Sequence, residues 1–246
     1  MTGRNWQPTE VEAEPKYQAL WTDLGLVEYG RAQRLMQALA ARAAAGGPGY
    51  ILFLEHTPTI TLGYSLKGDE GRSAIRPAPA ALAAAGVAVV QVDRGGKATF
   101  HGPGQIVCYP ILSLKELRLG IKRYVGKLQE LMLDALKDLG VEADLDPLFP
   151  GVWTAGGKVA AVGIRVSDRV ATHGFALNVN PDLTMFGHIV PCGISDRPVT
   201  SLHQLGVRPD HGELLRLLAG HMAKSLRLDL KPAAPDEIWP LAREEK

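Results

Sequence analysis

The chain is poor in the features that mark several large classes of protein. It has only two cysteines in 246 residues, Cys108 and Cys192, eighty-four positions apart. So sparse a supply excludes a disulfide-stapled secreted fold, and no structural bridge is expected. No C-x-x-C or H-x-x-x-H spacing occurs, so no metal is expected. G-x-S-x-G is missing too, which removes the usual serine-triad reading. No apolar run approaches the roughly 20 residues needed to span a bilayer. Met1 to Pro15 lacks the basic-then-apolar order of a signal peptide, which points to the cytoplasm. Charge of either sign is also not in excess, since 27 basic residues against 26 acidic leave a net +1. Neither nucleic acid nor an anionic membrane is therefore expected as a partner.

What is present is concentrated in one run, Arg94 to Gln105, RGGKATFHGPGQ. Four glycines and one proline let its backbone take positive φ and let a ligand come close. Strand-like apolar runs flank it, Val87 to Val92 before and Ile106 to Leu112 after. Arg94, Lys97 and His101 add two fixed positive charges and a titratable ring, which suits an anionic or carbonyl-bearing ligand. A glycine-rich turn with solvated basic residues reads equally well from composition. The spacing matches neither a P-loop nor the dinucleotide fingerprint.

The rest of the chain reads as a single α/β domain with no repeat and no separating linker. Residues up to about Tyr17 are polar and suggest a mobile tail, residues 1–20. Trp21 to Val27 reads as a first strand and Tyr50 to Leu54 as a buried one. Leu35, Met36, Leu39 and Ala43 recur at helical spacing between them. Lys67 to Arg76 looks like an exposed loop, and Pro79 to Ala85 a short helix closed by Gly86. Ile121 to Leu139 carries the clearest helical stripe and stops at Gly140. Lys158 to Val166 and Val170 to Asn180 read as a hairpin turning at Ser167-Asp168-Arg169. Asp210 and Glu213 resemble a capping box opening a last helix through Leu226. Residues 231–246 are expected to pack loosely as a second tail.

Two residues stand out chemically. Cys192 lies between Pro191 and Gly193, which leaves room beside its sulfur. A thiol titrating near 8.5 is only a few per cent thiolate at neutral pH, and a nearby ammonium would raise that fraction. Lys158 is the lone charge in GGKVAAVG and points either into a cleft or into water. Cys108 sits among bulky residues and reads as core. His56 and His173 read more simply as rings tying loops or strands to the backbone, and Asn178 and Asn180 as strand-end residues that close a loop.

RGGKATFHGPGQIVCYP closely resembles the glycine-rich segment of the octanoyltransferases of protein lipoylation. PGVWTAGGKVAAVGIRV, THGFALNVNPDL and IVPCGI resemble that family's other segments in the same order, from about Leu24 to Leu228. Lys97 stands where that family would carry glutamine, and Cys108 where a small residue is usual. The resemblance implies a mixed sheet flanked by helices, the fold of biotin and lipoate protein ligases, over a catalytic domain of residues 21–230. It implies an acyltransferase without cofactor that carries octanoyl from acyl carrier protein to a lysine of lipoyl domains. Those acceptors would be the E2 subunits of 2-oxoacid dehydrogenases and the glycine cleavage H protein. Cys192 would carry the acyl thioester and Lys158 would lower its pKa. Arg94, Gly95, Gly96, Lys97, Ala98, Thr99, Phe100 and His101 would line the acyl site with Ala161, Val162, Gly163, Gly174, Phe175 and Ala176. Rival readings are an ATP-dependent lipoate or octanoate ligase, which needs no cysteine, and a non-catalytic lipoyl-domain-binding module.

Overall fold

Two runs, Tyr50–Leu54 and Ile106–Leu112, are apolar at consecutive rather than alternate positions. Such strands need cover on both faces, and the computed structural model supplies it. The structure describes residues 16–66, 68, 71, 73–189 and 198–242. Strands β1 (Tyr17–Val27) and β2 (Gly49–His56) are parallel, joined by helix α1 (Tyr29–Ala44). Glu28 caps α1, its carboxylate accepting from the N–H groups of Gly30 and Arg31 at 2.7 and 2.8 Å. Leu35, Met36 and Leu39 of α1 pack on Tyr50, Leu52 and Leu54. The intervening Ile51 and Phe53 face the other way, into a core built from two later helices.

A small sheet comes next, made of β3 (Thr59–Leu62), β4 (Ala88–Gln91) and β5 (Ala98–His101) in the order β4-β3-β5. The short helix α2 (Pro79–Ala84) precedes β4. The run Arg94–Gln105 is therefore not one loop. Its middle is a strand pairing antiparallel with β3. Nor is all of Lys67–Arg76 exposed, because Ala74 is buried and Ile75 bridges Ile189.

The chain returns to the large sheet at β6 (Gln105–Ser113), crosses helix α3 (Ile121–Asp138), and adds β7 (Val152–Thr154), β8 (Gly157–Ser167) and β9 (Val170–Asn178). Asp168 and Arg169 both take positive φ, 49° and 61°, as a two-residue turn of primed type requires between twisted strands. Helix α4 (His211–Leu226) opens where Asp210 accepts from the Glu213 N–H at 3.0 Å. Leu128, Leu131 and Met132 of α3 and Leu214, Leu218 and Met222 of α4 fill the core on Ile51, Phe53 and Cys108.

Strand β10 (Leu228–Pro232) then pairs parallel with β1, completing a seven-stranded sheet in the order β10-β1-β2-β6-β9-β8-β7. The segment from Lys231 is thus not loose as far as Ala242. Ile238 is buried against the α1 side of the sheet, and Arg31 stacks 3.9 Å over the Trp239 ring. Among the described residues no helix is long and apolar enough to cross a membrane. Residues 1–15 of the expected N-terminal tail lie outside the described residues.

Candidate active site

The glycine run sits close against both sheets because two glycines, Gly63 and Gly163, let backbones touch. A methyl group on Gly63 would collide with the Gly96 carbonyl, and one on Gly163 would stand 2.9 Å from Gly95 O. The Gly95 N–H donates to Ile164 O at 2.9 Å, pinning the loop to β8. A methyl on Gly174 would collide with the Cys108 carbonyl and with Pro110. Gly163 and Gly174 thus allow close approach to neighbouring atoms, and both also border the cavity described below.

Arg94 is buried, and its guanidinium donates to Thr61 O, Thr61 Oγ1 and Gly95 O at 3.0, 2.7 and 3.0 Å. It fastens the loop to β3. Asp93 accepts from His173 Nε2 at 2.8 Å and from Arg165 at 2.9 Å. That His173 bond, followed by burial opposing it and by Arg165, holds the Asp93 carboxyl below its usual range. His173 has φ 55° inside β9, opposite the stretch of β6 where Pro110 has no N–H to give. The expectation of a ring bonded to backbone fails here, since the ring bonds a carboxylate.

Deeper in, polar side chains form two chains. His56 uses both nitrogens, Nδ1 with Val27 O at 3.0 Å and Nε2 with the Tyr109 hydroxyl at 2.7 Å. Burial pushes its pKa down to about 4. His101 Nδ1 meets Gln105 Oε1 at 2.6 Å, Gln105 Nε2 donates to Asn178 Oδ1 at 2.9 Å, and Asn178 Nδ2 donates to Thr200 O at 3.0 Å. Burial also pushes the His101 pKa well down, with the neighbouring His56 and Arg94 charges adding to it. At the start of β8, Lys158 Nζ donates to Pro150 O at 2.9 Å and lies 4.8 Å from the Trp153 ring centre.

These groups enclose a cavity of about 460 Å³, within the usual range for small-molecule sites. It is lined by Arg94 to Thr99, His101, Lys158, Ala161 to Gly163 and Gly174 to Ala176. Residues from three separate stretches of sequence are brought to one place. The chain can therefore enclose an apolar tail between β8, β9 and the glycine loop while keeping an ammonium at one end.

The sequence profile of the lipoyl protein ligase A/B catalytic domain matches residues 28–223. The chain belongs to this family. The octanoyltransferase of Chloroflexus aggregans is 44% identical over 215 residues, covering 85% of this chain and 94% of that protein. That of Solibacter usitatus is 39% identical over 218 residues, covering 86% and 94%. Among solved structures, a lipoate protein ligase of Thermoplasma acidophilum with bound lipoic acid superposes with a TM-score of 0.74 at 17% identity, covering 92% of this chain and 94% of that one. Lipoate-protein ligase A bound with ATP gives 0.72 at 17% identity, covering 94% of both chains. The fold is that of lipoate protein ligases, as the resemblance implied.

In this lipoyl protein ligase A/B domain one expected lining residue, Phe100, does not border the cavity. Its ring turns into the core of the small sheet, edge-on to Phe186 with centroids 5.7 Å apart. Cys192 lies outside the described residues. Cys108 is buried in the α3 side of the sheet, where burial pushes its thiol pKa well up, as expected of an inert core residue. Lining residues not anticipated from sequence include Tyr29, Gln105, Tyr109 and Phe149. Gln105 ends the glycine run, which was a usable signal. Tyr29 opens a helix with nothing local to mark it.

Proposed function

We propose that the protein transfers an octanoyl group from acyl carrier protein to a lysine of lipoyl domains through a thioester on Cys192. Support comes from octanoyltransferase relatives that this chain matches over most of their length. The observation that carries the site is the position of the residues on either side of the Cys192 segment. Phe186 before it and Val199 after it line the same cavity as Lys158. Pro198 O accepts from the Lys158 N–H, and the Thr200 N–H donates to Lys158 O, both at 3.0 Å. In the sequence Cys192 stands six residues before Pro198, which supports a reading in which it works with Lys158.

The chemistry suits that arrangement. Thiolate attack on a carrier thioester exchanges one thioester for another and is close to thermoneutral. Forming an amide from the second thioester runs downhill, so ATP is not needed. Burying an eight-carbon chain contributes about 5 kcal/mol at about 0.8 per methylene. The acceptor lysine, with pKa near 10.4, costs about 4 to 5 kcal/mol to deprotonate at pH 7. Lys158 steadies the Cys192 thiolate. Once acylation removes that anion, the ammonium form of Lys158 is less favoured and it relays the acceptor's proton. The Gly95 N–H, already spent on Ile164, is not a donor to the tetrahedral oxyanion. The acceptors are lipoyl domains of 2-oxoacid dehydrogenases and of the glycine cleavage H protein. The setting is the cytoplasm, where a free thiol persists.

Incubation with octanoyl-acyl carrier protein should add one octanoyl mass to the wild type and none to Cys192→Ser, which should also lose transfer. Retained transfer by Cys192→Ser, or an absolute need for ATP, would establish the ligase reading instead. A binding module would gain no covalent octanoyl group. Lys158→Arg keeps the charge but cannot exchange its proton at this pH. Full activity in that variant would remove the relay.

A further inference from the structure

The strand register maps the floor of the cavity row by row. Side chains two apart on a strand share a face. Gln105, Val107 and Tyr109 of β6 therefore stand in line, and all three border the cavity. In β9, Asn178 pairs with Gln105 and Ala176 with Val107, and Gly174 is next in that line. In β8, Ala161 pairs with Ala176 and Gly163 with Gly174. The first row is thus two amides. The second is Val107, Ala176 and Ala161, and the third is Tyr109 with two glycines.

The two ends of this floor differ. Lys158 belongs to the amide end, since the Thr200 N–H donates to the Lys158 carbonyl and the Thr200 carbonyl accepts from Asn178 Nδ2, both at 3.0 Å. At the other end the cavity meets three rings, Tyr29, Tyr109 and His173. Nothing farther along β8 than Ile164, or nearer the start of β9 than His173, borders it.

Two of these rings are braced from behind. The Tyr109 hydroxyl bonds His56 Nε2 at 2.7 Å, and His56 Nδ1 is anchored on Val27 O at 3.0 Å. His173 Nε2 donates to Asp93 at 2.8 Å, and its ring stands edge-on to Tyr109 with centroids 6.0 Å apart. Tyr29 is buried and interacts with the Tyr109 hydroxyl. Rings held this way do not swing aside for a longer ligand.

The four residues from Gln105 to Tyr109 span about 13 Å. Eight carbons in extended zigzag, from carbonyl to methyl, span about 9 Å at about 1.5 Å per bond. The end methyl keeps about 4 Å from the atoms it meets. Eight carbons fill that length, and ten are about 2.5 Å too long.

We propose that Tyr29, Tyr109 and His173 form a fixed end wall that limits the accepted acyl group to about eight carbons. The inference rests on the acyl-transfer reading, which puts the acyl carbonyl beside Lys158 and sends the tail along the rows toward the rings.

The test offers wild type, Tyr29→Leu and Ala161→Leu an equimolar mixture of hexanoyl-, octanoyl-, decanoyl- and dodecanoyl-acyl carrier protein. Mass spectrometry reads the acyl adducts, and ratios within one sample do not depend on how much of the protein is folded. Tyr29 is changed rather than Tyr109, whose loss would leave His56 Nε2 unpaired. Tyr29→Leu deepens the cavity and should raise the decanoyl-to-octanoyl ratio about 10-fold or more. Ala161→Leu adds bulk in the half-buried middle row and should raise the hexanoyl-to-octanoyl ratio by a similar factor. Opposite shifts are not the mark of a merely structural role. A level ratio in either folded variant, or a wild type that loads dodecanoyl as fast as octanoyl, would overturn the wall. The wild-type comparison holds even if a variant does not fold. A wild type that gains no acyl adduct would overturn the Cys192 thioester reading alone. Calorimetry with free octanoate and dodecanoate then decides the wall, with octanoate expected at least about 10-fold tighter. Dodecanoate binding as tightly as octanoate would reject it.

Discussion

The centre of the large sheet and the junction with the small one are built on opposite plans. β2 and β6 are buried nearly throughout, with α1 against one face and α3 and α4 against the other. The small sheet has its own apolar patch around Ile60 and Phe100, but where it meets the large sheet the ties are polar. Gly95 bonds Ile164, Asp93 holds His173 and Arg165, and His101 reaches Gln105. Apolar packing is insensitive to direction, whereas hydrogen bonds fix where each atom points. The first region therefore supplies stability, and the second places the groups that face the cavity.

Mutation should pull these two contributions apart. Leu128→Ala, at a fully buried position of α3, should cost about 3 kcal/mol, within the usual 2 to 5. Urea unfolding would read that loss, with the transfer rate of the folded fraction little changed. A cost below about 1 kcal/mol would show that the α3 core is not the main source of stability.

Acid should act on the polar region. His56, His101 and His173 are all held below their ordinary pKa by burial. The unfolded chain binds protons there that the folded chain refuses, so stability falls as pH drops below 6.5. His56, whose folded value is about 4, contributes about 3 kcal/mol of this loss by pH 4. Unfolding free energies that stay level between pH 7 and 4.5 would contradict it.

A methyl at Gly63 tests the contact that seats the loop. Gly63→Ala should cost about 2 kcal/mol by forcing the Gly96 carbonyl aside, and should slow transfer more than Leu128→Ala does. Equal activity in the two variants would blur the division of labour. The smallest effect belongs to Arg165→Met. Its ion pair with Asp93 is about 40% exposed on both sides, so less than about 1 kcal/mol is expected. A loss of several kcal/mol, seen by thermal melting, would make the exposed tie a principal one.

The same division governs what could be read from the sequence. Continuous apolar runs gave β2 and β6, the helical stripe gave α3, and Asp210 marked the start of α4, because each signal is local. Family motifs gathered the cavity residues because they mark the strands and loop that build it. β5 was hidden, since Ala98–His101 is only four residues among glycines. The Asp93–His173 bond joins positions eighty residues apart, and no local pattern encodes such a meeting. Phe100 fell within a lining segment, yet a strand sends alternate side chains to opposite faces. β10 was missed because Lys231 and Pro232 read as tail, although they end an edge strand where both residue types are favoured.

That edge strand has a consequence for synthesis on the ribosome. β1 is made well before β10, and one of its flanks waits for Leu228–Pro232, about two hundred residues later. Until then the nascent chain carries a bare strand flank open to pairing with a neighbour, a hazard that chaperones answer in the cell. Closure of the sheet is consequently a late event, and truncation before β10 should leave a product prone to aggregate.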